Sequence, residues 1–296
     1  MTRSLLYTVP SDYDGKKLIV VLRGQMRLGA RLVASLKRQE NGIRLNGEHA
    51  RTIDPVHTGD VVTVRLTDRA GQAEPIRFAL DVLYEDDDLL VVNKPAGLAM
   101  HPTHNHQGDT LANAVAAYYA DRGETAVFRA VGRLDKDTSG VVICAKHRMA
   151  AAALSGKLDK TYYAVVTGVL TGGGVIDRPI VRPDPGKTLR AVGEGGDAAV
   201  TRWRAIASGK DRTLLEVRPL TGRTHQIRVH FASVGCPLLG DDMYGGSRDE
   251  IGRQALHCGR VTLTHPVTGR PMTFTAPIPA DMQSLLGKLK KPLDFS

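Results

Sequence analysis

The chain has 296 residues, of which 42% are hydrophobic and 24% are charged. This length is sufficient for a sizeable core and predicts one large domain together with a smaller one. A run of about 18 apolar residues, the minimum for a transmembrane helix, does not occur in the sequence. The N-terminal residues also lack a basic start followed by an apolar stretch, so we expect neither a membrane span nor a signal peptide.

The formal net charge is +9 at pH 7, which favours a polyanionic partner. The three cysteines, Cys144, Cys236 and Cys258, are odd in number and widely spaced, and no CxxC pair is present. This pattern argues against a disulfide framework and against a structural zinc site. We expect reduced thiols and a cytoplasmic location.

Residues 12–66 are predicted to form a separate small module. Two helices are expected, over 16–23 and over 29–39, because apolar residues recur there at helical spacing. The prediction continues with a strand at 43–45, a hairpin turn at Asn46-Gly47 and a strand at 61–66. Residues 67–78 are polar and include a glycine and a proline, so they predict a flexible linker to a second domain over 79–296.

The small module carries much of the positive charge. Residues 1–66 contain eleven Lys and Arg residues against six acidic ones. Four of the basic residues are predicted on one face of the second helix: Arg27, Arg31, Lys37 and Arg38. A cluster of this kind binds phosphate backbone with little dependence on base sequence. The alternative is an ordinary charged face in contact with solvent.

The most informative segment for function is GRLDKDTSG at residues 132–140, which is followed by the apolar run 141–145. A carboxylate in a turn beside a buried strand is held rigidly and can still face a cleft. Asp135 is therefore the candidate nucleophile. The spacing of Asp135 and Asp137 also resembles the start of the DxDxT pattern of aspartyl-phosphate phosphotransferases, but in those enzymes a hydrophobic strand precedes the motif. A surface turn in which Asp135 only caps backbone amides is the third interpretation.

Two later segments supply further candidates. The strand at 160–166 alternates its side chains, so Lys160 and Tyr162 are expected to face the cleft together. In the segment after 221, Thr224 is predicted to cap a helix that ends at Gly235. His225 and Arg228 share its polar face, and Arg228 can therefore reach a carboxylate.

A short histidine cluster invites a metal-site interpretation. His101, His104, His106 and Asp109 lie close together in the sequence. Spacings of two and three residues without supporting cysteines are a weak zinc signal. We predict no metal and no organic cofactor.

Three separated blocks, NKPAG at 93–97, RLDKDTSG at 133–140 and TGRTHQIRVH at 221–230, resemble the RluA-type pseudouridine synthases. The resemblance extends from about residue 82 to 279 and is strongest to the RluD-like, ribosome-modifying branch. It implies an α+β fold, with a mixed, largely antiparallel sheet flanked by helices and loops. The module at 12–66 resembles the alpha-L RNA-binding domain, although Gly29 stands where that family usually has Ser.

The resemblance also implies roles for individual residues. Asp135 would be the nucleophile, Arg228 would form an ion pair with it, and Tyr162 would stack on the target base and could accept its proton. Arg133 would fill the gap left when the uridine flips out of its helix. We also assign Lys160, Arg223 and His225 to RNA binding. Gly132 stands where many relatives have His.

The implied partner is structured RNA, most closely large-subunit ribosomal RNA, with transfer RNA as an alternative. No membrane and no obligate protein partner are expected. Two rival hypotheses are kept open. One is a noncatalytic RNA-binding assembly factor on the same fold, and the other is the magnesium-dependent aspartyl phosphotransferase.

Overall fold

The computed structural model describes residues 2–67, 73–102, 108–124 and 126–289. Across these ranges, none of the helices has the length and apolar character required to span a membrane. The elements form two main sheets, one near the N-terminus and one that runs through the rest of the chain.

The N-terminal sheet has four antiparallel strands in the order β1-β4-β2-β3. The strands are β1 (Thr2–Thr8), β2 (Ile43–Leu45), β3 (Glu48–His49) and β4 (Val61–Thr67). Helices α1 (Leu18–Gly24) and α2 (Ala30–Leu36) pack on this sheet through buried side chains that include Leu22, Val33 and Leu36. The sequence analysis predicted both helices and the strands β2 and β4, but not β1.

Strand β1 lies before residue 12, the predicted start of the module. It pairs with β4 along its whole length, from Thr2 opposite Thr67 to Thr8 opposite Val61. Its sequence, TRSLLYT, has only a weak strand pattern by itself. The partner strand some sixty residues later supplies the hydrogen bonds that make it a strand, so only the tertiary structure reveals it.

The basic residues of this module are arranged differently from the prediction. Only Arg31 lies within α2. Arg27 precedes the helix in the left-handed region, with φ of 53°, and Lys37 and Arg38 follow its last residue. All four side chains are exposed, and none of them forms an ion pair with another described residue. They are therefore available to an external anion.

Arg3 and Met149 are among the residues that connect the N-terminal module with the larger part of the chain. Arg3 forms ion pairs with Asp87 (Nη1–Oδ2, 2.8 Å) and with Asp88 (Nε–Oδ1, 3.2 Å). Met149 is buried within the hydrophobic cluster of the N-terminal module. Of the predicted linker, residues 68–72 lie outside the described ranges. The carbonyl of Glu74 accepts a hydrogen bond from the Asn113 amide at 2.9 Å.

The large sheet is mixed and almost entirely antiparallel, in the order β5-β6-β7-β14-β8-β13-β12-β9, with β15 paired to β14. Its strands are β5 (Asp81–Glu85), β6 (Leu89–Lys94), β7 (Ser139–Ala145), β8 (Asp159–Thr167), β9 (Gly173–Asp177), β12 (Val200–Ser208), β13 (Arg212–Pro219), β14 (Leu256–Thr264) and β15 (Pro271–Thr275). Strands β10 (Ile180–Val181) and β11 (Ala191–Val192) form a separate two-stranded antiparallel sheet. The predicted α+β class is confirmed.

Four helices flank this sheet: α3 (Leu111–Asp121), α4 (Arg148–Leu154), α5 (Gln226–Ser233) and α6 (Ala280–Leu286). Side chains of α3 and α5, among them Val115, Tyr119 and Phe231, pack with those of β6 and β7 in the main core. Helix α4 begins after His147, which caps it through Nδ1, and ends where Ser155 leaves the helical conformation.

Strand β7 directly follows the turn that contains the candidate nucleophile, Asp135. All seven of its residues are buried, as the apolar run predicts. It lies parallel to β14 through only two residue pairs, His257 with Ser139 and Cys258 with Gly140. Gly140 has φ of +116°, and a Cβ at this position would lie 2.2 Å from the Cys258 carbonyl oxygen. The close approach of the two strands therefore requires glycine at position 140.

We predict that Gly140→Ala destabilises the fold more than Gly156→Ala, its matched control. Gly156 also has a positive φ, +70°, but a Cβ there would meet nothing within 4 Å. Backbone strain should cost each variant about 1 to 3 kcal/mol. The clash with the Cys258 carbonyl should add about 1 to 3 kcal/mol for Gly140→Ala alone. Urea unfolding measures both losses, and equal losses would contradict the prediction.

Candidate active site

Asp135 begins the turn that leads into β7. Its carbonyl oxygen accepts a hydrogen bond from Thr138 N–H at 3.1 Å, and its side chain is 16% exposed. The carboxylate faces a cavity of about 660 Å³, which lies within the usual size range of ligand sites. The structure brings together at this cavity all of the candidates predicted in the larger domain: Arg133, Asp135, Lys160, Tyr162, Arg223, His225 and Arg228.

The turn rests on two cationic side chains. Lys94 is fully buried, and its Nζ donates to the carbonyl oxygen of Lys136 at 2.8 Å as well as to those of Pro95 and Leu98. Arg253 Nη1 donates to the carbonyl oxygen of Asp137 at 3.1 Å. Two successive peptide groups of the turn are thereby fixed by charge-assisted hydrogen bonds. The position of Asp135 depends on both cations.

Sequence reasoning did not identify Arg253. It lies 116 residues from Asp137 in the chain, and no local motif marks it. Its guanidinium is itself held by Asp281, with Nε–Oδ2 at 2.6 Å and Nη2–Oδ1 at 2.9 Å. The neighbouring Gln254 donates to the Thr138 hydroxyl at 3.3 Å. Residues near the C-terminal end of the chain thus stabilise the turn through hydrogen bonds.

Arg228 lies 3.3 Å from the candidate nucleophile, measured from Nη1 to Asp135 Oδ2. Its main partner is Asp241, a residue that the sequence analysis did not single out. Asp241 accepts two hydrogen bonds from it, at 2.6 Å from Nε and 2.7 Å from Nη2. Arg228 is 7% exposed and Asp241 is 1% exposed. A bidentate pair of this kind fixes the plane of the guanidinium, so that Nη1 points to Asp135.

His225 adopts an unusual backbone conformation immediately before α5, with φ of 56°. Its Nδ1 lies 2.8 Å from the Tyr244 hydroxyl, and that oxygen already accepts from Arg190 N–H at 3.0 Å. We therefore assign the hydroxyl as donor to Nδ1, which leaves the proton of a neutral imidazole on Nε2. That nitrogen lies 3.9 Å from Asp135 Oδ2. Burial lowers the pKa of His225, although the Asp135 carboxylate opposes the shift.

The predicted cap at Thr224 is wrong, because α5 begins two residues later, at Gln226. Gln226 is buried and organises the preceding loop instead. Its Oε1 accepts from the Thr221 hydroxyl at 2.8 Å and from Arg223 N–H at 3.0 Å. Its Nε2 donates to the carbonyl oxygen of Val200 at 3.0 Å. The side chain of Gln226 thereby ties the loop that presents His225 to the neighbouring strand β12.

Tyr162 and Lys160 lie two residues apart on β8 and both line the cavity. Tyr162 is 7% exposed, and burial raises its pKa well above the ordinary value for a tyrosine. The phenolate form is therefore scarce near neutral pH. Burial lowers the pKa of Lys160. Arg133 and Arg223 also line the cavity and are both exposed. Arg223 in addition donates from Nε to the carbonyl oxygen of Ala198 at 3.1 Å.

Within the described ranges, one group of side chains has the spacing of a metal site: Asp86, Asp88 and His265. His265 Nδ1 accepts from the N–H groups of Val267 and Thr268, so Nε2 carries the proton and donates to Asp86 at 2.9 Å. The imidazole therefore has no lone pair free for a cation. Of the predicted histidine cluster, His104 and His106 lie outside the described ranges, and His101 packs against the ring of Phe128.

We predict that removal of the Lys94 ammonium changes how stability depends on pH. Burial lowers the pKa of Lys94 to about 7, with the Asp137 carboxylate opposing the shift, from 10.5 in an unfolded chain. Between these values the folded state binds fewer protons than the unfolded state, so wild-type stability rises with pH. Lys94→Met lacks this rise. The difference in free energy of unfolding, wild type minus variant, should therefore increase from about pH 7 towards pH 10.

Chemical denaturation at several pH values measures this difference. Lys210→Met removes an exposed lysine and serves as the control, for which a flat difference is expected. A flat difference for Lys94→Met as well would contradict the prediction.

Comparison with known proteins identifies the family. Residues 88–233 match the family model described as RNA pseudouridylate synthase. The chain is 41% identical over 292 residues to the uncharacterized RNA pseudouridine synthase YhcT of Bacillus subtilis (strain 168), with 96% of each chain covered. It is 38% identical over 305 residues to the ribosomal large subunit pseudouridine synthase D of Xanthomonas campestris pv. campestris, covering 96% of this chain and 92% of the relative.

Solved structures agree with the sequence relatives. Human RNA pseudouridylate synthase domain containing 4 superposes with a TM-score of 0.59 at 25% identity, over 72% of this chain and 95% of that one. Human RNA pseudouridylate synthase domain containing 1 gives a TM-score of 0.58 at 26% identity, over 75% and 91% of the two chains. As the motifs at 93–97, 133–140 and 221–230 predict, the chain belongs to the RNA pseudouridine synthases, a family of isomerases that act on RNA.

Proposed function

We propose that this enzyme converts specific uridines of large-subunit ribosomal RNA to pseudouridine, with Asp135 as the nucleophile. The observation that carries the proposal is the orientation of Asp135 towards a nucleotide-sized cavity by the buried Arg228–Asp241 pair. The ribosomal target is inferred from relatives such as the ribosomal large subunit pseudouridine synthase D of Xanthomonas campestris. Transfer RNA is the alternative substrate.

The reaction needs a carboxylate with one free oxygen. Arg228 donates to Oδ2 of Asp135, whereas Oδ1 has no hydrogen-bond partner within the described ranges. Oδ1 is thus available to the sugar. Asp135 assists departure of uracil from C1′ of the ribose, with addition to the base as the alternative. The base then turns within the cavity, its C5 bonds to C1′, the proton on C5 is lost, and N1 gains a proton. The product has the same atoms as the substrate, so the reaction requires no external cofactor.

The uridine must leave its helix to reach Asp135. Arg133 is exposed beside the cavity, and in this proposal it occupies the position that the uridine vacates. Tyr162 stacks on the flipped base. Because its pKa is raised by burial, we assign Tyr162 to stacking rather than to proton removal at neutral pH.

The N-terminal module is proposed to bind the RNA backbone outside the cavity. Arg27, Arg31, Lys37 and Arg38 are exposed and without ion-pair partners in the described part of the chain. Such side chains favour phosphate contacts, which fix the position of the enzyme on its substrate without reading base sequence. Recognition of a particular uridine then depends mainly on RNA shape.

Tritium release from RNA labelled at C5 of uracil tests the proposal directly. The wild type should release tritium from unmodified large-subunit ribosomal RNA without added metal. Asp135→Asn, which keeps the size of the side chain but removes its charge, should release none while binding RNA with unchanged affinity. Asp137→Asn, a change of the other acid in the same turn, is the matched control and should retain most activity.

Other outcomes separate the alternatives. Release from transfer RNA alone would move the substrate assignment to that RNA. Tight RNA binding without release from either RNA, by wild type and Asp135→Asn alike, would overturn the proposed activity and support a noncatalytic assembly factor. A requirement for magnesium, together with transfer of phosphate to Asp135, would instead indicate the phosphotransferase.

We also predict that Asp241→Asn lowers the rate of the chemical step about 10- to 100-fold. The change leaves Arg228 with one fewer charged partner in a buried site, where such losses are large. The exposed neighbour Asp242 pairs only with Arg248 among described residues, so Asp242→Asn is the control and should keep its rate. Single-turnover kinetics at saturating enzyme measure both, and an equal small effect would show that the Arg228–Asp241 pair is dispensable.

A further inference from the structure

Lys160 occupies an unusual position in the cavity wall. It lies in β8 opposite Val261 of β14, so the sheet fixes its backbone. Its Nζ would lie only 3.0 Å from a Cβ built on Gly132, and its Cε 3.7 Å. Gly132 has φ of +76° and no side chain. The ammonium therefore lies against the backbone of the segment that carries Asp135.

Among the residues that the structure describes, this ammonium also lacks a partner. Three cations that contact the Asp135 turn are fully engaged: Lys94 with three carbonyl oxygens, Arg228 with two aspartates, and Arg253 with Asp281 and backbone oxygens. By contrast, Lys160 has no hydrogen-bond or ion-pair acceptor within the described ranges, although it is partly buried. An unpaired cation withdrawn from water costs stability. The presence of such a cation in the cavity wall is explained if the substrate supplies its hydrogen-bond acceptor.

Two parts of the RNA could supply it, a backbone phosphate or an oxygen of the base. Phosphates are strongly hydrated and suit exposed cations at the mouth of a cavity, such as Arg133. Lys160 is more buried and lies beside Tyr162, to which we assign base stacking. The position of Lys160 therefore favours the base.

We propose that Lys160 is a catalytic residue that donates a hydrogen bond to a carbonyl oxygen of uracil and stabilises the base as it leaves the ribose. This inference rests on the proposed function. When the bond from N1 to C1′ breaks, its electron pair stays on the base and is shared by N1, O2 and O4. The Lys160 ammonium, which keeps its proton throughout, neutralises that charge. The charge disappears when C5 bonds to C1′ and the C5 proton is exchanged for a proton on N1.

A cation placed where charge develops acts mainly on the chemical step. Lys160→Met keeps the length of the side chain and removes its charge. We expect it to slow single-turnover loss of uridine about 100-fold, while the Kd for RNA changes less than about twofold. Lys210→Met, at an exposed position outside the cavity, should change neither quantity.

A second substrate distinguishes charge stabilisation from positioning. In RNA that carries 5-fluorouridine at the target, fluorine withdraws electrons and stabilises the departing base. The loss caused by Lys160→Met should therefore shrink to about tenfold or less when disappearance of 5-fluorouridine is followed. Lys160→Gln should show the same pattern, and it provides the test if the methionine variant does not fold.

The outcomes that overturn the inference are distinct. An unchanged rate at saturation with a weakened Kd would assign Lys160 to a phosphate. Equal losses on uridine and 5-fluorouridine would assign it a positioning role, and no loss would remove it from the mechanism. In each of these cases the wild type is active on uridine. Failure of the proposed function is recognised separately, because the wild type itself would then convert no uridine.

Discussion

The arrangement of the candidate active site depends on two basic side chains that fix the backbone of the short turn at Asp135. Lys94 and Arg253 each donate to a peptide oxygen of that turn, and neither hydrogen bond uses the Asp135 side chain. The backbone is therefore fixed by groups that leave the carboxylate free to react. Burying two cations next to each other costs stability, and their carbonyl and carboxylate acceptors offset that cost. This arrangement explains how a turn, rather than a rigid helix or strand, can carry a nucleophile with a defined orientation.

The cationic groups at the Asp135 turn and in the cavity wall have different roles. Lys94 and Arg253 act on the backbone, and Arg228 is oriented by Asp241 so that one nitrogen reaches Asp135. Lys160 is a partly buried cation of the cavity wall, and it has no acceptor in the described part of the chain. Three of these cations are therefore bonded to the protein itself, whereas Lys160 is proposed to bind the substrate. Preorganised charge of this kind lowers a barrier because it needs no rearrangement during the reaction.

The N-terminal module is linked to the larger part by more than the chain itself. Arg3 pairs with Asp87 and Asp88 in the turn between β5 and β6, and Met149 enters the core of the module. Asp88 also lies 2.8 Å from His147, the residue that caps α4. The contact is thus built from a small polar network and one apolar side chain.

The sequence by itself determined what depends on local pattern. Alternation placed Lys160 and Tyr162 on one face of β8, the apolar run at 141–145 predicted a buried strand, and the motif at 133–140 marked Asp135. Other features were decided only by tertiary structure: the pairing of β1, the partnership of Asp241 with Arg228, the support from Arg253 and the left-handed backbone at His225. Each of these arises from a contact between residues distant in the chain, such as the 116 positions that separate Arg253 from Asp137. Nothing in the sequence around Asp241 shows whether this residue belongs to the active site. Its role follows from its contact with Arg228, which only the folded chain creates.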